Sequence, residues 1–180
     1  MRTQRRQRGF TLVESSIVVA ISAIVVTAAA PSFQGFIQKQ RLAGVADQLA
    51  SDIQFTRSEA VLRNAGLRLS LQRTDWGSCY VVHTGAADDC RCHAAGPAEC
   101  RDGAQQIKTV ALPAAERIDV QGNVASILFD PMHGTSTPAG TLRVVADSGR
   151  AVHHVVNVMG RVRSCSPRGE AAAVSGYRVC

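Results

Sequence analysis

The chain has 180 residues and a formal net charge of +6. Aromatic residues make up 4% of it, which argues against a surface that works mainly by stacking single-stranded bases. Charge is unevenly spread: Arg2, Arg5, Arg6 and Arg8 precede Gly9, and without those four arginines the side chains sum to +2, or +3 when Glu14 is also set aside.

From Phe10 to Ala30 the sequence is apolar apart from Glu14, Ser15, Ser16, Ser22 and Thr27. That is long enough for the roughly 20 residues that cross a bilayer as a helix. The arginines before it predict a cytoplasmic N-terminus and an exported remainder. Ala28, Ala29 and Ala30 also offer the small residues of a secretory cleavage site, but that reading gives Glu14 no role. Pro31 removes one backbone donor and is expected to kink the helix. Beyond it, Leu42, Val45, Leu49, Ile53 and Ala60 recur near helical spacing, so the helix continues as an amphipathic stripe. Glu59 and Arg63 stand one turn apart on its solvent side, and Asn64-Ala65-Gly66 is the stop signal. A helix over residues 10–64, with 10–30 transmembrane, would measure roughly 80 Å and form a stalk.

Residues 65–180 read as a β-rich head. In "GLRLSLQ", Leu67, Leu69 and Leu71 alternate with polar residues at the period of a half-buried strand. "CYVVHT", "QIKTVAL", "RIDVQG", "SILFD", "TLRVVAD" and "AVHHVVNVMGRVRSC" follow, and Asp147-Ser148-Gly149 looks like a tight hairpin turn. One long helix with a meander of antiparallel strands makes the class α+β. The small, acidic segment 85–100 is expected to protrude as a loop.

All six cysteines, Cys79, Cys90, Cys92, Cys100, Cys165 and Cys180, follow the helix, and an even count in an exported domain reads as disulfides. Six cysteines allow 15 connectivities. The expected arrangement joins Cys165 to Cys180 and uses the other four to cross-link the loop to the strand bearing Cys79. Zinc held by these thiols or His93 is the weaker reading, because Cys-x-Cys is not the usual zinc spacing. No metal and no cofactor is expected.

Arginine concentrates at the C-terminal end. Between Asp75 and Asp102 five acids face Arg91 and Arg101, whereas from Arg150 onward Arg150, Arg161, Arg163, Arg168 and Arg178 face only Glu170. Val152, Val156, Val158 and Val162 share a parity and are expected to form the core face of a strand, with His153, Asn157, Arg161 and Arg163 opposite. Gly160 permits a bend beside them. Two adjacent guanidinium forks, with Arg168 in the following loop, suit phosphate oxygens, although surface arginines also serve simply to keep a strand edge soluble. His133, His153 and His154 have no nucleophile, base or carboxylate partner at a recognisable spacing, so no enzyme is expected.

Gly9-Phe10-Thr11-Leu12-Val13-Glu14, with a basic leader before it and Pro31 after, resembles the processing site of type IV prepilins and type II secretion pseudopilins. The resemblance implies a leader at 1–9, cleavage after Gly9 by prepilin peptidase, methylation of Phe10 and a retained apolar stem. Glu14 would then meet a new amino terminus during filament assembly, since a carboxylate in hydrocarbon needs a partner. "RSEAVLRN", "ILFDPMHG" and the late Gly-Arg-x-Arg followed by cysteine are similar to the FimT/GspH family of minor pilins and pseudopilins. Within it, the Gly-Arg-x-Arg element, here Gly160 to Arg163, is associated with FimT-type minor pilins that bind double-stranded DNA in natural transformation. The fold implied is type IV pilin-like. The partners implied are DNA, other major and minor pilins, and the inner membrane before export to a pilus. The competing function is a structural pseudopilin that helps initiate a secretion filament.

Overall fold

The computed structural model describes residues 10–94, 96–169 and 173–180, with backbone alone at 30–32. The leader expected at 1–9, Gly9 included, and Glu170 lie outside the described residues.

Helix α1 spans Leu12–Arg63 and runs through position 31 without a break. Thr11 caps it: its Oγ1 accepts the backbone N–H of Glu14 at 3.2 Å. Glu14 therefore stands in the first turn, at the positive end of the helix dipole. Ser16, Ser22 and Thr27 donate their hydroxyls to the carbonyls of Leu12, Val18 and Ala23 one turn back. The hydroxyls of the apolar run thus find acceptors inside the helix, as a hydrocarbon surrounding would require. Its most apolar window has a mean hydropathy of 2.2, long and apolar enough to cross a membrane.

The chain divides into two units, one ending at Gln38 and the other comprising Lys39–Cys180. In the second, the expected helical stripe is the buried one. Leu42, Ala46, Leu49, Ile53 and Ala60 are fully buried, and Val45 packs beside them. The helix ends in a Schellman motif: Asn64 is left-handed at φ 49°, and the amides of Asn64 and Ala65 donate to Val61 and Ala60. Glu59 and Arg63 form the expected one-turn ion pair, 2.6 Å apart.

Eleven strands are present among the described residues. β1 (Leu67–Thr74), β2 (Gly77–His83), β5 (Gln106–Pro113), β7 (Ser126–Phe129) and β8 (Ser136–Thr137) form one antiparallel sheet in the order β5-β2-β1-β7-β8. A second sheet runs β11-β10-β9-β6, from β6 (Ile118–Gly122), β9 (Gly140–Ala146), β10 (Ala151–Val156) and β11 (Val162–Cys165). β3 (Cys90–Arg91) and β4 (Glu99–Cys100) pair as a small hairpin. Leu69, Tyr80, Leu112 and Phe129 from the first sheet meet Val120, Leu142, Val144, Val152 and Val156 from the second in one core with the helix. Asp52, 4% exposed, is buried beside that core and accepts from Tyr80 Oη at 2.7 Å and from Lys108 Nζ at 2.5 Å.

Two expectations need correction. The segment 85–100 does not protrude; it lies on the outer face of the first sheet. Gln72 Nε2 donates to the Cys90 carbonyl and Gln72 Oε1 accepts from the Cys92 amide, while Ser70 Oγ donates to the Ala87 carbonyl. A second small core of Cys79, Val81, Cys90, Cys92 and Ala98 forms beneath it, so the segment covers a face that would otherwise expose Val81. Secondly, the run 151–165 is two strands joined by a turn at 157–161, and Val158 is 62% exposed instead of facing the core. Asn157 drives the reversal: its Oδ1 accepts from the amides of Met159 and Arg161.

The disulfides are Cys79–Cys92, Cys90–Cys100 and Cys165–Cys180. The last is the pair expected from sequence. Of the other two, only Cys79–Cys92 fastens the segment to the sheet, and Cys90–Cys100 closes the segment on itself across the β3–β4 hairpin.

Candidate nucleic-acid interface

The arginine element occupies the turn between β10 and β11 and the start of β11, which is an edge strand. Along it, Arg161 is exposed, Val162 is half-buried against the core and Arg163 is exposed. The period-two alternation read from sequence therefore holds over these three residues. Val155 pairs with Arg163 and Val156 with Val162, so Arg163 stands on the solvent face of the second sheet. Neither Arg161 nor Arg163 has an ion-pair partner among the described residues. Arg168 is exposed beyond the strand end.

Gly160 has a packing role that sequence spacing did not reveal. Its φ is +70°, and a Cβ there would come within 2.2 Å of the Gly134 carbonyl and 2.9 Å of Arg57 Nε. Arg57 Nε donates to that same carbonyl at 2.8 Å. The 130–134 turn that presents it is held by Asp130, whose Oδ1 accepts from the amides of Met132 and His133. Ser136 completes the docking, with its Oγ donating to the Asn157 carbonyl and its N–H to that of Val158. The glycine thus lets the arginine turn sit directly on the "DPMHG" turn and the helix. Between these elements runs an open groove of about 1150 Å³, lined by Phe55, Arg57, Leu62, Met132, Gly160 and Arg161 among others.

One neighbour of the arginines went unremarked in the sequence. Arg143 on β9 is exposed and lies opposite His153, and its signal was the alternation of Leu142, Val144 and Ala146 inward. Burial, and secondly the Arg143 charge, lower the His153 pKa. His154, on the inner face, is fully buried, and burial brings its pKa down to about 4. Its Nδ1 lies 2.9 Å from Ser164 Oγ, while Nε2 has no partner in the described structure. His133 is in the exposed turn, and these three histidines do not form one cluster with any nucleophile.

The family model for the type II transport protein GspH matches residues 45–160. The chain belongs to the GspH family. A prokaryotic N-terminal methylation motif matches residues 4–30 of this GspH-family chain, which implies processing by prepilin peptidase and assembly with other pilins. Two crystal structures of the type IV minor pilin FimU from Pseudomonas aeruginosa resemble it. One, at 15% identity and a TM-score of 0.51, covers 79% of this chain and 98% of FimU. The other, at 14% identity and a TM-score of 0.48, covers 75% and 98%. The first likeness identifies the fold: a long N-terminal helix on an antiparallel sheet head, as in a type IV minor pilin. No curated protein sequence matches the chain. GspH-family proteins are structural and non-enzymatic, so a filament role and not catalysis is the frame for the arginines.

Proposed function

We propose that this GspH-family chain is a minor pilin that binds double-stranded DNA without sequence preference, through Arg161, Arg163 and Arg168, in DNA uptake for natural transformation. One observation carries the reading: two exposed guanidinium groups, unpaired among the described residues, flank a half-buried valine on an edge strand. Arginine forks held this way take phosphate oxygens bidentately, and phosphate contacts alone give sequence-independent binding. In this reading the stem 10–30 crosses the inner membrane once, the head is periplasmic, and Glu14 helps insert the subunit into the filament.

The experiment is a salt titration of duplex binding with the processed chain extracted from membranes in detergent. About three phosphate contacts correspond to a log-log slope of about −3. Changing Arg161 and Arg163 together to glutamine is expected to flatten that slope by about 2 and weaken all sequences alike. A folded double variant with unchanged affinity and slope overturns the reading.

A second reading has its own support. The packing of Gly160 against Gly134 and Arg57 accounts for that glycine without any ligand, and a structural pseudopilin that initiates a secretion filament needs only such packing. Unchanged DNA binding in the double variant would favour it.

A further inference from the structure

The two sheets differ in what lies on their outer faces. The disulfide-bonded segment covers the first, whereas the second carries Arg143, Val145, His153, Val155 and Arg163 on its outer face, with, among the described residues, the Cys165–Cys180 bridge at one end. We infer that this bare face is the second half of the DNA contact, with Arg143 binding a phosphate on the strand opposite the one held by Arg163. The inference rests on the DNA-binding reading above and deepens it: it assigns the site to duplex in preference to single-stranded DNA.

The register supplies the geometry. Arg143 pairs with His153, and Arg163 pairs with Val155, so the two arginines are separated by one intervening strand and offset by two residues. Strands lie about 4.8 Å apart and rise about 3.4 Å per residue, which puts the two Cα atoms about 12 Å from each other. The minor groove is about 6 Å wide between phosphate surfaces. With the phosphate radii added, phosphorus atoms facing across it stand about 12 Å apart as well. A sheet face whose two arginine side chains rise from Cα atoms at that spacing can reach both walls at once, and a single strand has only one wall to offer.

The charge environment agrees. Arg143 has no ion-pair partner among the described residues. The acid nearest to it in register on this face is Asp119 of β6, opposite Val145. That carboxylate is already engaged by Arg73 and by Gln121 Nε2. Between the two forks lies the half-buried Val155, while His153 marks the bridged end of the face, its Nδ1 3.8 Å from the Cys180 sulfur.

The test compares Arg143→Gln with the Arg161/Arg163 double glutamine variant, each as processed full chain in detergent, on a duplex and on a single strand of the same length. The Arg143→Gln chain is expected to bind duplex about tenfold more weakly at 50 mM salt, the factor one released counterion supplies, with a slope flatter by about 0.9. Its single-strand affinity is expected to be unchanged. Equal weakening on both substrates, or no weakening on duplex, overturns the inference while leaving the Arg161/Arg163 reading intact. If the double variant binds normally and Arg143→Gln does not, the earlier reading fails and the two-strand grip fails with it, leaving Arg143 as a contact of its own. Arg143→Lys, which keeps the charge, is expected to retain most duplex binding and controls for loss of fold.

Discussion

At the scale of single residues, the buried polar groups define the testable energetics. Asp52 receives a phenol and an ammonium within the core, and its proximity, after burial itself, raises the Tyr80 pKa. Asp52→Ala would leave both donors without their acceptor, and we expect a loss of about 3 kcal/mol in urea unfolding. Lys108→Met keeps the aliphatic stem but leaves the buried Asp52 carboxylate without its countercharge, and it is expected to cost about 3 kcal/mol as well. His154 makes stability depend on pH. Its folded pKa of about 4 lies below the unfolded value near 6.5. Between those values the unfolded chain binds the extra proton, so the neutral ring's contribution is complete above about pH 6.5 and is lost as pH falls toward 4. Unfolding free energies followed from pH 8 to pH 5 are expected to drop by about 2 kcal/mol on this account. His83, also buried and also lowered, adds to the drop in the same direction, and His154→Gln is expected to remove only its own share. Gly160→Ala separates packing from binding: the new methyl would strike the Gly134 carbonyl, so thermal stability is expected to fall even where no DNA is present.

At the scale of elements, the helix end and the strand pattern were the most legible parts. Leu42, Leu49, Ile53 and Ala60 occupy the buried stripe because a period near 3.6 leaves no other face for them. Asn64 was readable as a stop because few residues besides glycine tolerate its left-handed backbone. Asn64→Ala is expected to cost about 1 kcal/mol and Asn64→Gly nothing or less, measured by the same unfolding curves. The β10–β11 turn was hidden for a physical reason: Val158 and Met159 continue an apolar run, and only the side chain of Asn157, bonding its neighbours' amides, reverses the chain. The fold of the cysteine segment onto Gln72 was equally invisible, because it depends on one amide side chain fifteen or more residues distant. In the candidate site, Arg161 and Arg163 stood out by spacing. Arg143 did not, because its partner is set by strand pairing and not by sequence distance.

At the scale of the whole molecule, the methylation motif predicts a mature chain that starts at an N-methylated Phe10, and mass spectrometry of membrane-extracted protein checks it. A start near Pro31 would mean that the stem is a discarded signal. Thr11 and Glu14 form a local cap on that stem, so Glu14→Gln, which keeps the helix start while removing charge, is the variant that isolates an assembly role. The three disulfides close segments of 13, 10 and 15 residues, and this carries a consequence for how the protein matures. Swapping partners within the covering segment, Cys79 with Cys90 and Cys92 with Cys100, would close slightly shorter loops, and chain entropy would favour that isomer by about 0.3 kcal/mol. A difference that small is below thermal energy, so polymer statistics leave the reduced chain with almost no preference for the native bonds. The choice then falls to the folded sheet, where Gln72 holds the Cys90 carbonyl and the Cys92 amide in place, so the native pairs are expected in higher yield when oxidation follows strand pairing.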